Sequence, residues 1–114
     1  MTSATTTEMD EKASLYDITN LDKMKTLATH APEGMKAYVA FDRAALAAGA
    51  IPVKYKELMA LAVAFTTQCP YCIELHANKA REHGATDPEI AESVLVAAAL
   101  RAGAAITHGT HAMK

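Results

Sequence analysis

The stretch ELMALAVAFTTQCPYCIELH, residues 57–76, decides the reading of the chain. After Glu57 it is apolar on nearly every side as far as Phe65, the pattern of a central helix rather than an amphipathic surface one. Pro70 cannot continue that helix, but it suits the first turn of a new one. CPYC therefore marks a break and a restart, with the first helix reaching Gln68 and the second running to about His83. Both cysteines of the protein, Cys69 and Cys72, sit at this restart, and His76 follows Cys72 by one helical turn. Such a pair reads as a redox-active dithiol with its own proton-handling groups.

Working outward, Pro52 opens the central helix, and Gly49 is expected to end the segment before it. That segment starts at Pro32 and repeats Met35, Tyr38, Val39, Ala45 and Leu46 at helical spacing. A short helix is expected over Asp17–His30, capped by Thr19 or Asn20, with Leu21, Met24, Leu27 and Ala28 as its stripe. Residues 1–15 are rich in Ser, Thr and Glu and lack periodicity, which predicts a flexible tail ahead of one domain over 16–114. On the C-terminal side, Gly84 follows the CPYC helix. Thr86 and Glu89 have capping-box spacing, with Pro88 in the first turn. A long Ala/Val/Leu helix then runs through Leu100, breaks near Gly103 and resumes to His111. No strand alternation or hairpin signal is present, so the expectation is all-α with five or six helices.

Composition agrees. Alanine is roughly one residue in five, aromatics are 5%, and Trp is absent, which favours close-packed helices over a sheet. The net charge of −2, with both signs interspersed, argues against nucleic-acid and membrane-surface roles. No apolar run of about 18 residues escapes a charge, and the polar N-terminus lacks a signal-peptide core. The cytoplasm is the default compartment. There a cysteine pair is catalytic or metal-binding more often than a structural staple.

A thiol reacts as its thiolate, and a free pKa near 8.5 leaves little of it at neutral pH. Cys69 falls at the cap and Cys72 in the first turn of a helix, where unpaired N–H groups and the dipole favour an anion. His76 shares a face with Cys72 and can take its proton. For Glu57, helical rise in an ideal antiparallel pair leaves it roughly 7 Å short of His76 along the axis. That distance suits a bridging water, through which Glu57 would orient the imidazole. Three blander readings compete. Glutaredoxins carry the same CPYC, but after a strand, whereas a helix precedes it here. Zinc could use Cys69, Cys72 and His76 with Glu57, His108 or His111, although a second ligand pair at ordinary spacing is missing. The thiols could also be inert and buried. Tyr71 reads as a packing or substrate-pocket residue. His30 and His83 join no constellation.

The spacing Glu57, eleven residues, Cys69, two residues, Cys72, three residues, His76 resembles that of the AhpD-like alkylhydroperoxidases of the carboxymuconolactone decarboxylase superfamily. The flanks IPVKYKELMALAVAF and HANKAREHGATDPEIAE are similar too, and the likeness spans roughly residues 33–105. It implies an orthogonal helical bundle, assembly into homotrimers or homohexamers, and thiol peroxidase activity. Cys72 would attack the hydroperoxide and Cys69 would resolve the sulfenic acid as a disulfide. Glu57 and His76 would relay protons. No cofactor or metal is implied beyond the Cys69–Cys72 pair. The reductant would be a dithiol, on a lipoyl-bearing or thioredoxin-like protein. Tyr71 stands where the well-studied peroxidases have a second histidine, which weakens the relay and leaves general dithiol–disulfide exchange as a rival activity. A non-enzymatic or zinc-stabilised oligomer that retains the motif is the other alternative.

Overall fold

A computed structural model describes residues 17–114, and the tail expected over 1–15 lies outside them. The described residues hold five α-helices and no strand, so the all-α expectation stands. They divide into two compact units, 17–45 and 46–114.

In the first unit a 3-10 segment, Ile18–Lys23, leads into α1, Met24–His30, and then α2, Pro32–Leu46. The start differs from expectation. Asp17, not Thr19 or Asn20, is the cap, and its Oδ1 accepts both the N–H (2.9 Å) and the hydroxyl (2.7 Å) of Thr19. A carboxylate two residues ahead is the stronger acceptor, so Thr19 becomes the donor and the first turns wind tightly. Ala31 leaves the helical region at φ −138°, as a residue before proline tends to do. No described residue of this unit is buried.

α2 stops at Leu46, three residues before the expected end at Gly49. Gly49 serves the bend that follows instead, donating its N–H to the Ile51 carbonyl. Lys56 Nζ ties the same bend down by donating to the Ala47 carbonyl at 2.6 Å.

The second unit is built on α3, Val53–Thr67, which packs against both α4, Pro70–Glu82, and α5, Asp87–Gly109. Its core is small: Leu61, Ala64, Ala80, Ala85 and Ala97. Alanines at the contacts let the helix axes approach closely. Tyr55, Met59 and Val63 of α3 remain exposed. The Thr86–Glu89 capping box forms as expected, and Glu89 also pairs with Lys54 of α3 at 2.8 Å, tying the start of α5 to α3.

α5 runs 23 residues without the break expected at Gly103. One interior glycine costs a helix only about 1 kcal/mol. The helix-forming alanines on either side outweigh that. A 3-10 turn, Thr110–Ala112, ends it. Asp87–Ala112 is long and apolar enough to cross a membrane by length and composition alone. Arg101 interrupts that stretch, and the helix uses one face to pack on α3. Leu95, Leu100 and Ile106 stay exposed.

Candidate active site

The turn between α3 and α4 positions the sulfurs. Gln68 closes α3 in the left-handed region, φ 58° and ψ 44°, which lets the chain reverse within two residues. The Cys69 N–H then donates back to the Ala64 carbonyl at 3.2 Å. Cys69 is extended, at φ −99° and ψ 100°, and becomes the cap of α4, with Pro70 in the first turn. Its Sγ accepts the Cys72 N–H at 3.3 Å, the part usually taken by a Ser or Asp oxygen. Neither cysteine is in a disulfide, and both are half-buried.

This geometry acidifies Cys69. The Cys72 side chain hydrogen-bonds to Cys69 Sγ and holds the Cys69 thiol below its ordinary pKa. The Cys72 and Tyr71 backbone N–H groups add to the effect, and burial opposes it weakly. The sequence placed both Cys69 and Cys72 where helix-end donors favour an anion. The structure gives the Cys72 N–H to Cys69 Sγ, because the cap side chain faces the open helix end.

Glu57 and His76 form the second pair. Glu57 lies one turn into α3 and is 3% exposed, the one buried charged residue among those described. Its Oε2 accepts from His76 Nδ1 at 2.6 Å. The expected bridging water is therefore replaced by direct contact. The axial estimate counted backbone rise alone, and these two long side chains span the remaining offset. Donation from Nδ1 to a carboxylate sets the neutral tautomer in which Nε2 carries the lone pair. That nitrogen is the one able to accept a proton. No buried side-chain oxygen or nitrogen among the described residues lacks a partner.

Tyr71 lies half-buried in the first turn of α4, between the two cysteines in sequence. His83 sits at the end of α4, where its Nδ1 donates to the Lys79 carbonyl at 2.8 Å, a helix-capping contact. His108 and His111 pair edge to face at 5.7 Å between ring centroids near the end of α5. Among the described residues, no three His, Cys, Asp or Glu side chains converge in metal-holding geometry. Two features escaped the sequence reading: the left-handed backbone of Gln68 and the Lys54–Glu89 tie. Neither has a sequence signal, since Gln is an unusual left-handed residue and the two tie partners lie on separate helices.

Comparison with known proteins places these features in context. The model of the carboxymuconolactone decarboxylase family matches residues 32–114. An uncharacterized protein of the cox locus of Paracoccus denitrificans is 47% identical over 77 residues, covering 68% of this chain and 69% of its own. An uncharacterized protein of Haemophilus influenzae is 41% identical over 83 residues, covering 73% and 74%. Two solved structures are similar. A carboxymuconolactone decarboxylase family protein of Legionella pneumophila superposes with a TM-score of 0.68 at 32% identity, covering 73% of this chain and 76% of that one. A protein of Methanobacterium thermoautotrophicum superposes with a TM-score of 0.72 at 30% identity, covering 77% and 99%.

Proposed function

Because the chain belongs to the carboxymuconolactone decarboxylase family and carries a dithiol at a helix start beside a carboxylate-bound histidine, we propose that it is a thiol-dependent peroxidase acting on organic hydroperoxides. The direct Glu57–His76 contact carries this reading. It holds an imidazole on α4, the helix that begins at the two sulfurs, with Nε2 ready to take a thiol proton. In the first step a thiolate attacks the terminal peroxide oxygen. The O–O bond breaks, the alkoxide leaves with a proton as alcohol, and the sulfur becomes a sulfenic acid. The family resemblance gives this attack to Cys72. The second sulfur then attacks the sulfenic sulfur, releasing water and closing the Cys69–Cys72 disulfide. An external dithiol, of lipoyl or thioredoxin-like chemistry, returns two electrons. The exposed apolar residues of α5 support assembly as a homotrimer or homohexamer, and the cytoplasm supplies the reducing surroundings such a cycle needs.

One equivalent of cumene hydroperoxide added to reduced protein should consume two thiols per chain. An unchanged thiol count overturns the peroxidase reading. A second reading, general dithiol–disulfide exchange, is favoured by Tyr71 in place of a further relay histidine. Turnover of a small disulfide without turnover of the peroxide would select it.

A further inference from the structure

Two histidines meet where α5 ends. His108 lies in its last turn and His111 in the 3-10 turn that follows. Three residues apart, they share one face. Their rings pack edge to face, with centroids 5.7 Å apart and planes at 64°, and both side chains are exposed. Two imidazoles held at about 90–109° by one ion, at a metal–nitrogen length of about 2.0 Å, have ring centres roughly 4.5–5.2 Å apart. The pair is therefore within about 1 Å of a chelating arrangement. Rotation of two exposed side chains supplies that shift without moving any packed group.

The surroundings suit one kind of cation. The closing carbonyls of α5 give this helix end a partial negative charge. Among the described residues no third His, Cys, Asp or Glu joins the pair, so the carboxylate cage that calcium requires is missing. Imidazole nitrogen suits copper, nickel and zinc instead. Arg101 precedes His108 by seven residues, about 10 Å along the helix. That is beyond the roughly 8 Å over which a surface charge acts at physiological salt. Lys114 carries its charge on a long flexible stem that can turn to water.

We propose that His108 and His111 form a two-nitrogen chelate for a divalent transition ion of the copper, nickel and zinc class, with copper(II) held most tightly. The proposal does not depend on reading Cys69 and Cys72 as redox-active. One nitrogen from each ring binds the ion, water fills its other positions, and no electron is transferred. Copper leads because affinity at such a site follows the Irving–Williams order. The second imidazole meets an ion already held by the first, which makes the pair on the order of 100-fold tighter than one histidine. The two rings belong to different turns, so the ion ties the 3-10 turn Thr110–Ala112 to α5. The Met113 N–H, which donates to the Thr110 carbonyl at 3.1 Å, closes the segment held in this way.

The test uses the full chain carrying Cys69→Ser and Cys72→Ser, so that no thiol binds or reduces the metal, while serine keeps the cap of α4. Copper(II) chloride is titrated near neutral pH and followed by calorimetry and electron paramagnetic resonance. One ion per chain is expected, with hyperfine splitting from two nitrogens. Adding His108→Ala or His111→Ala should weaken binding about 100-fold and remove that two-nitrogen pattern, with the helical circular dichroism unchanged. Nickel and zinc chloride should bind more weakly than copper, and magnesium chloride should not compete. Amide exchange over residues 110–113 should slow when copper is added, and should not slow in either alanine variant. Equal affinity with and without the two histidines overturns the proposal, as does a spectrum without nitrogen splitting. Half an ion per chain would place the ligands on two copies and overturns it as well.

Discussion

Replacing His76 with leucine should cost the fold about 3 kcal/mol, and a second change at Glu57 should restore most of it. The reason lies in burial. Glu57 keeps 4% of its side-chain exposure and His76 keeps 18%. Removing one partner of a buried pair costs about 3–5 kcal/mol, because the other charge stays without compensation. The partial exposure of His76 lets water reach the vacated place, so the lower end applies. Glu57→Met should cost less, about 1 kcal/mol, since a neutral imidazole can turn toward water. The double variant, Glu57→Met with His76→Leu, removes both polar partners and should fall within about 1 kcal/mol of the parent. The two changes would then be coupled by about 3–4 kcal/mol. Urea unfolding of all four proteins at one chain concentration measures this, the concentration being held because assembly adds to apparent stability. With a slope near 1.5 kcal/mol/M, the His76→Leu midpoint should drop by about 2 M. Additivity within about 0.5 kcal/mol would mean the two side chains do not depend on one another, and the pair would lose its role in the site.

The lowered pKa of Cys69 predicts a pH-dependent contribution to stability. A thiol with a depressed folded pKa stabilises the fold fully above the ordinary thiol value, and that contribution disappears as pH falls through the lowered one. Reduced parent protein should therefore exceed Cys69→Ala by more at about pH 9 than at about pH 6, and a gap that does not change with pH counts against the thiolate cap. Gln68→Gly should raise stability by about 1 kcal/mol, because the residue already sits at φ 58° where a Cβ is strained; an unchanged melting temperature would mean the strain is absent. Leu100→Glu, at a position 70% exposed, should lower the mass measured by light scattering without changing the helical circular dichroism. An unaltered mass removes that face from the interface.

Much of the architecture was legible because its signals are local. Pro52, Pro70 and the Thr86–Glu89 box each act on the residues beside them, and the helices they start are present. The misses share a different cause. The cap at Asp17 depends on which of two neighbouring polar groups is the better acceptor, and spacing does not reveal that. The break expected at Gly103 weighed a local propensity of about 1 kcal/mol without the alanines on either side that override it. The end of α2 at Leu46 rather than Gly49 depends on a bend held by Lys56, nine residues beyond its Ala47 acceptor. Periodicity marked α3 as apolar all round. It could not show that Met59 and Val63 on it stay exposed.

The site shows the same division between neighbouring and distant groups. The Cys69 cap involves residues three apart and could be read from CPYC alone. The Glu57–His76 bond joins residues 19 apart, and its length depends on how α3 turns into α4. Gln68 governs that turn. Its left-handed backbone, with the Cys69 N–H returned to Ala64, brings α4 back along α3 so that His76 meets Glu57. The turn thus helps to bring the acid to the imidazole and to set Cys69 as the cap of α4. A change that loosens the turn should weaken both effects together, whereas a change in either pair should disturb only its own.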